Sequence, residues 1–212
     1  MEQRSSEATA SRLTARGAKT RSRIITTAAD LMRVRGVGGT TLDDIIVASN
    51  VSKSQLYRHF EDKQALVRAV IEFVGDRKIT QERERLGKVM TFAGLRRWRD
   101  ALVENNALQE GRYGCSLGSL ANEVADQDSI ARQKLHDLLR RGKNSSKISC
   151  GGFRRRASPT RSRRLTTLHG LLAAVQCGYL LAQTSRDVTP MAAAIDMALE
   201  HLYMLDSKRD AS

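Results

Sequence analysis

The seven residues between Ser52 and Phe60 read Lys-Ser-Gln-Leu-Tyr-Arg-His, and all but Leu56 are polar or amphipathic. Their chemistry is hydrogen bonding and fixed positive charge, not bond making. Lys53 and Arg58 can donate to guanine, and Gln55 can donate to and accept from adenine. The Ser54 hydroxyl can bond a base edge or a phosphate. Tyr57, His59 and Lys63 suit phosphate oxygens, which fix position without reporting sequence. Thr41 and Ser52 stand where helices begin, and the free N–H groups of a helix start favour an anion. His59 has a second reading as a packing residue at a helix end, and Tyr57 as a half-buried aromatic.

Such a segment cannot stand alone, because only Leu56 and Phe60 point inward and a short isolated helix is unstable in water. The sequence supplies two helices to hold it. Thr20 to Val34 carries Ile24, Ala28, Leu31 and Met32 on one face, and Gly36, Gly38 and Gly39 end that helix. Thr41 followed three residues later by Asp44 makes a capping box, and Leu42, Ile45 and Ile46 give the second helix a buried side ending near Ala48. In the turn Ser49-Asn50-Val51, asparagine can take a left-handed backbone. Ser52 can cap a third helix over about 53–59. Three helices in this order predict a helix-turn-helix whose third helix is presented to a major groove.

The remaining chain reads as helices too. A fourth starts near Glu61 or Asp62 with a stripe of Leu66, Val70 and Val74, flanked by Val67 and Ile71. Residues 86–110 follow with Leu95, Trp98, Leu102 and Val103 as core members, then a break from Gly111 to Gly118. Residues 119–141 return to helix with Leu120, Val124, Ile130, Leu135, Leu138 and Leu139. Residues 142–164 lose the apolar period and read as a disordered basic linker, with a second nucleic-acid contact as the alternative. Residues 165–184 carry Leu168, Leu171, Leu172, Val175, Tyr179 and Leu180, with Ala173, Ala174, Gly178 and Ala182 allowing close approach. Thr189 can cap a last helix with Pro190 in first position, carrying Met191, Ala194, Ile195, Ala198, Leu199 and Leu202.

The expected fold is therefore all-α. Its expected division is a flexible basic arm over 1–18, a DNA-binding unit over 19–65, and a helical domain over 66–205. The arm, with Arg4, Arg12 and Arg16, is either a solvated tail or a contact for phosphates or a minor groove.

Charge and composition narrow the partners. The chain has 36 Lys and Arg against 23 Asp and Glu, a net +13 that favours a polyanion. Much of that excess lies in residues 140–165, with ten basic residues and no acid, so the total alone does not argue for DNA. No run approaches 18 apolar residues and the N-terminus lacks a secretion signal, so no membrane partner is expected. Cys115, Cys150 and Cys177 are odd in number and lack Cys-x-x-Cys spacing, which fits a reducing cytoplasm and argues against a zinc site. Catalysis has no basis. The histidines at 59, 136, 169 and 201 are scattered, and neither a glycine-rich phosphate loop nor a His-Glu-x-x-His pattern occurs. His169 and Cys177 lie eight apart on one helix, a stray pair. No cofactor, metal or catalytic residue is expected.

The stretch from Thr40 to Phe60, TTLDDIIVASNVSKSQLYRHF, resembles the N-terminal DNA-binding segment of the TetR (tetracycline-repressor) family. Val51, Ser52, Leu56, Tyr57, His59 and Phe60 match its pattern at fixed spacing, with Gly36 upstream and Asp62 and Lys63 downstream. Asn50 and Ser54 stand where glycine is common, Ile46 where alanine is, and Val37 where an aromatic is. Residues 112–128 and 178–199 look like a YxaF/LmrA-like subgroup, whereas 142–164 does not.

The resemblance implies a cytoplasmic homodimer, built through residues 165–184 and 190–205, that binds double-stranded DNA at a palindromic operator. It also implies a repressor released by a small-molecule effector held among the body helices. Trp98, Tyr113, Cys115, Leu120 and Tyr179 are the candidate pocket residues, each with a plain core role as its alternative.

Overall fold

A computed structural model describes residues 15–86, 91–145 and 161–207, and among them every regular element is an α-helix. The helices are α1 (Ala15–Arg35), α2 (Leu42–Ser49), α3 (Lys53–His59), α4 (Lys63–Leu86), α5 (Phe92–Ala107), α6 (Ser116–Val124), α7 (Ser129–Ser145), α8 (Arg161–Ser185) and α9 (Thr189–Ser207).

Two apolar cores organise them. The first joins Ile24, Ile25, Ala28 and Met32 of α1 to Ile45, Leu56 and Phe60, to Leu66, Val67, Val70 and Ile71 of α4, and to residues of α6 and α7. The expected boundary at 65/66 therefore falls inside a continuous core. The second joins Leu86 at the end of α4 to Leu95 and Leu102 of α5 and to α8 and α9. One long helix, α4, thus belongs to both. At the α8–α9 contact, a methyl on Gly178 would stand 3.0 Å from Met191 Cα, so a side chain there would push the two helices apart by a few tenths of an ångström.

Several sequence expectations are corrected. Helix α1 begins at Ala15, so residues 15–18 are helix rather than arm, while 1–14 lie outside the described residues. Residues 119–141 are two helices, not one, and Ile130 is half exposed, because the buried stripe of α7 is Ala131, Leu135 and Leu138. The break is shorter than expected, since Gly118 lies inside α6. The expected loop 142–164 is trimmed at both ends, since α7 runs to Ser145 and α8 starts at Arg161. Its centre and Cys150 lie outside the described residues. Thr189 does not cap α9. Asp187 accepts instead from Thr189 N at 2.9 Å and from its hydroxyl at 2.8 Å.

The α8–α9 surface also divides differently from the expected dimer face. Leu171, Tyr179, Ile195 and Leu199 are buried within their own chain. The exposed apolar groups are Leu180 and Leu181 on α8 and Met197, Tyr203 and Met204 on α9. Gly170, Ala173 and Cys177 continue the exposed stripe of α8, and Ala193 that of α9. No helix of the described residues is long and apolar enough to cross a membrane.

Candidate nucleic-acid interface

Local hydrogen bonds build the helix-turn-helix. Thr41 Oγ1 accepts from Asp44 N at 3.1 Å while Asp44 Oδ2 accepts from Thr41 N at 2.9 Å, closing the capping box of α2. The Thr41 hydroxyl and backbone, with Arg35 at 3.4 Å, hold the Asp44 carboxyl below the ordinary carboxylate range. Asn50 sits at φ 50, ψ 56, the left-handed turn the sequence called for. Its carbonyl accepts from Arg23 Nη2 of α1 at 3.3 Å.

Helix α3 starts with a second capping box. Ser52 Oγ accepts from Gln55 N at 3.2 Å, and Gln55 Oε1 accepts from Ser52 N at 2.9 Å. Pairing with adenine would use that same side-chain oxygen together with the side-chain nitrogen. Leu56 is fully buried and Phe60 nearly so, which anchors α3 from beneath. Lys53, Ser54, Tyr57 and Arg58 are left exposed, with Thr41 and Ser52 beside them.

His59 is half buried against Phe60, ring centroids 6.4 Å apart. Burial foremost, then the charges of Arg21 and Arg58, push its imidazole below the usual histidine range. Arg21 itself lies 5.1 Å over the Phe60 ring, so its charge is set against the third helix from α1. Lys63 opens α4, whose first turn is capped by Asp62 Oδ1 accepting from Ala65 N at 2.6 Å. The nine candidates, Thr41, Ser52, Lys53, Ser54, Gln55, Tyr57, Arg58, His59 and Lys63, thus fall at the start of α2, along α3 and at the start of α4.

The candidate pocket residues separate. Leu120 packs in the first core, Tyr179 and Trp98 in the second, and Cys115 touches both. Tyr113 lies under the Arg33 guanidinium of α1, 4.5 Å from its ring. Sequence reasoning missed the polar groups beside Tyr179. Lys78 Nζ of α4 is 3.4 Å from Glu82 Oε1, and Glu82 Oε2 accepts from Trp98 Nε1 at 3.0 Å. Burial pulls the Lys78 ammonium down, but Tyr179, Glu82 and Cys115 outweigh it and hold the group above the usual lysine range. Burial pushes the Tyr179 phenol up. The i, i+4 spacing of Lys78 and Glu82 was legible, but it suits a solvated helix face equally well. Among the described residues, no group of three His, Cys, Asp or Glu is placed to hold a metal.

Comparison with known proteins places this geometry. Residues 24–70 match the family described as bacterial regulatory proteins, tetR family. An uncharacterized HTH-type transcriptional regulator from the lacX 3' region of Lactococcus lactis subsp. lactis is 24% identical over 182 residues, 84% of this chain and 90% of that protein. The HTH-type negative transcriptional regulator IcaR of the biofilm operon icaADBC, from Staphylococcus epidermidis, is 40% identical over 50 residues, 24% of this chain and 27% of that protein. The crystal structure of regulatory protein TetR from Rhodobacter sphaeroides superposes with a TM-score of 0.71 at 19% identity, covering 86% of this chain and 98% of that one.

Proposed function

We propose that the chain, whose residues 24–70 match the tetR family of bacterial regulatory proteins, is a DNA-binding transcriptional regulator of that family, a homodimeric repressor of a palindromic operator released by a small-molecule effector. The observation that carries the reading is α3, a seven-residue helix with a buried Leu56 and an exposed row of Lys53, Ser54, Tyr57 and Arg58. Two capping boxes and a left-handed Asn50 hold it in place. A helix with so little apolar surface is kept in a fold to present its polar face.

Lys53, Ser54 and Arg58 are the base readers in this proposal. Thr41, Ser52, Tyr57, His59 and Lys63 hold phosphates, and Gln55 serves chiefly as the cap that keeps α3 formed. Lys53, Arg58 and Lys63 also supply positive charge for the non-specific part of the affinity.

Dimerisation follows from the leftover apolar stripes. Gly170, Ala173, Cys177, Leu180 and Leu181 recur at helical spacing on the exposed side of α8, beside Ala193, Met197 and Met204 on α9. A two-fold copy would cover both stripes and make a four-helix interface. The interface lies within 165–184 and 190–205, but on the faces opposite the buried Leu199 and Tyr179. Two reading units fixed by one interface explain why the operator is palindromic.

Repression, rather than activation, is supported by the negative regulator IcaR, whose similarity to this chain is confined to 50 residues. The effector site is assigned to the junction of the two cores, around Cys115, Trp98 and Tyr179 with Lys78 and Glu82. The resemblance of segments 112–128 and 178–199 to a YxaF/LmrA-like subgroup supports assigning the body to that subgroup in this proposal. Selection of bound DNA from a random pool tests the function. A recovered palindrome with half-sites about one helical turn apart supports it. Recovery of no preferred sequence refutes it.

A further inference from the structure

Helix α6 touches both halves of the molecule. At its start, Cys115 Sγ accepts from Gln176 Nε2 of α8 at 3.2 Å. A methyl on Gly118 would meet Gln176 Oε1 at 2.7 Å. Near its end, Glu123 reaches the turn between α1 and α2. One carboxylate oxygen, Oε2, accepts from Val37 N at 2.7 Å and from Gly38 N at 3.1 Å. Nine helical residues span about 13 Å, so one short rigid element ties α8 to the reading unit.

The position of Glu123 is unfavourable for a carboxylate on local grounds. It is the next-to-last residue of α6, and the turn it meets follows the C-terminus of α1. Helix C-termini repel negative charge. The two N–H groups of the turn compensate by converging on one oxygen, as charge-assisted hydrogen bonds. Gly36 gives the turn that shape at φ 75, and a Cβ there would stand 2.9 Å from the same oxygen. A second tie flanks α6 on its other side, where Arg33 covers Tyr113 in the connection that leads into the helix.

We propose that Glu123 is the positioning residue of the DNA-reading unit, a latch by which α6 sets the angle of α1–α3 on the body. The proposal rests on the DNA-binding reading above. A displacement of α6 by about 1 Å breaks the longer bond and badly strains the shorter, because hydrogen bonds fail beyond roughly 3.5 Å. The first core continues from α1 into α4, α6 and α7, so release changes the angle without detaching the unit.

Full-length Glu123→Ala and Glu123→Gln test this. Glutamine keeps the length and a single carbonyl oxygen able to accept both N–H groups. The readouts are amide exchange of Val37 and Gly38, the distance between labels at Val47→Cys and Arg132→Cys in a chain freed of its native cysteines, and affinity for the selected operator against unrelated DNA. For Glu123→Ala we expect exchange of both amides to rise and operator affinity to fall by about tenfold, the scale of losing hydrogen bonds to a charged group. The label distances should broaden, and unrelated DNA should bind within about threefold of wild type. Glu123→Gln should recover most of each loss. The proposal is overturned if Glu123→Ala leaves operator affinity and label distances unchanged. It is equally overturned if both variants lose operator and unrelated DNA alike, which is the signature of general destabilisation. If the wild type selects no operator, the DNA-reading function fails separately, and unchanged exchange and distances in Glu123→Ala would still overturn the latch.

Discussion

Replacing Gln55 with alanine removes the oxygen that closes the capping box of α3 and leaves the Ser52 N–H without its protein partner. The other half of the box survives, because Ser52 Oγ still accepts from the backbone N–H of residue 55. Ser52 is exposed, so water replaces part of what is lost. The cost should fall at about 0.5–1 kcal/mol, the lower half of the range for N-terminal caps. In a chain of this length that lowers Tm by about 1–4 °C. It also reduces affinity by at most about fivefold through poorer ordering of α3, equally on every DNA sequence. Gln55→Glu separates the two roles further. A carboxylate caps as well or better at that position, so Tm holds or rises. The new negative charge faces phosphates, so affinity falls on all DNA. Thermal melts paired with anisotropy titrations on the selected operator and its single-base variants supply both numbers. A changed preference at one operator position, with Tm unmoved in Gln55→Ala, would refute the reasoning. It would mean that Gln55 leaves the cap to read a base.

Three further outcomes are expected. Leu181→Glu and Met197→Glu should each convert the proposed dimer to a monomer and abolish operator binding while helix content persists; sedimentation and circular dichroism on the same samples check this, and a dimer surviving both changes rules out the exposed faces of α8 and α9. Asp128 accepts from Arg68 Nε at 2.7 Å and caps α7 through Ile130 N and Ala131 N, and Arg68 foremost, then those backbone groups, hold its carboxyl below the ordinary range. Its stabilising contribution is therefore complete above the ordinary aspartate range near pH 4 and is lost as pH falls through its lowered value, so Asp128→Asn should destabilise by about 1–2 kcal/mol at neutral pH and flatten the acid limb of a melting-versus-pH series. His59, held below the usual histidine range, is neutral at pH 7, and a phosphate beside it favours its charged form; operator affinity should rise as pH falls from 7 toward 6, and His59→Gln should remove that slope in salt-matched titrations.

The reading unit was legible in the sequence because its determinants are local. Thr41 with Asp44, Ser52 as the cap of α3, and Asn50 in the turn act over three or four residues, so residue type and spacing nearly specify the geometry. The same locality hid one point. Spacing shows Gln55 on the exposed side of α3, but only the structure shows its oxygen turned back to Ser52 N–H. Periodicity located α8 and α9 but not the use of their faces. Leu199 and Leu181 are both apolar residues on helices, and burial in the second core separates one from the other. That choice depends on where α5 packs, which no window of the sequence contains. Thr189 yielded its cap to Asp187 for a related reason, since either side chain at a helix start can accept and the path of the chain decides between them. Glu123 and Val37 are 86 positions apart, and nothing near either residue signals the other. The sequence therefore determined the all-α character, the caps of α2 and α3 and the polar face of α3 through short-range sterics and hydrogen bonding. Only the tertiary structure decided which apolar faces a single chain can bury and which distant groups meet, because both depend on the packing of helices far apart in sequence.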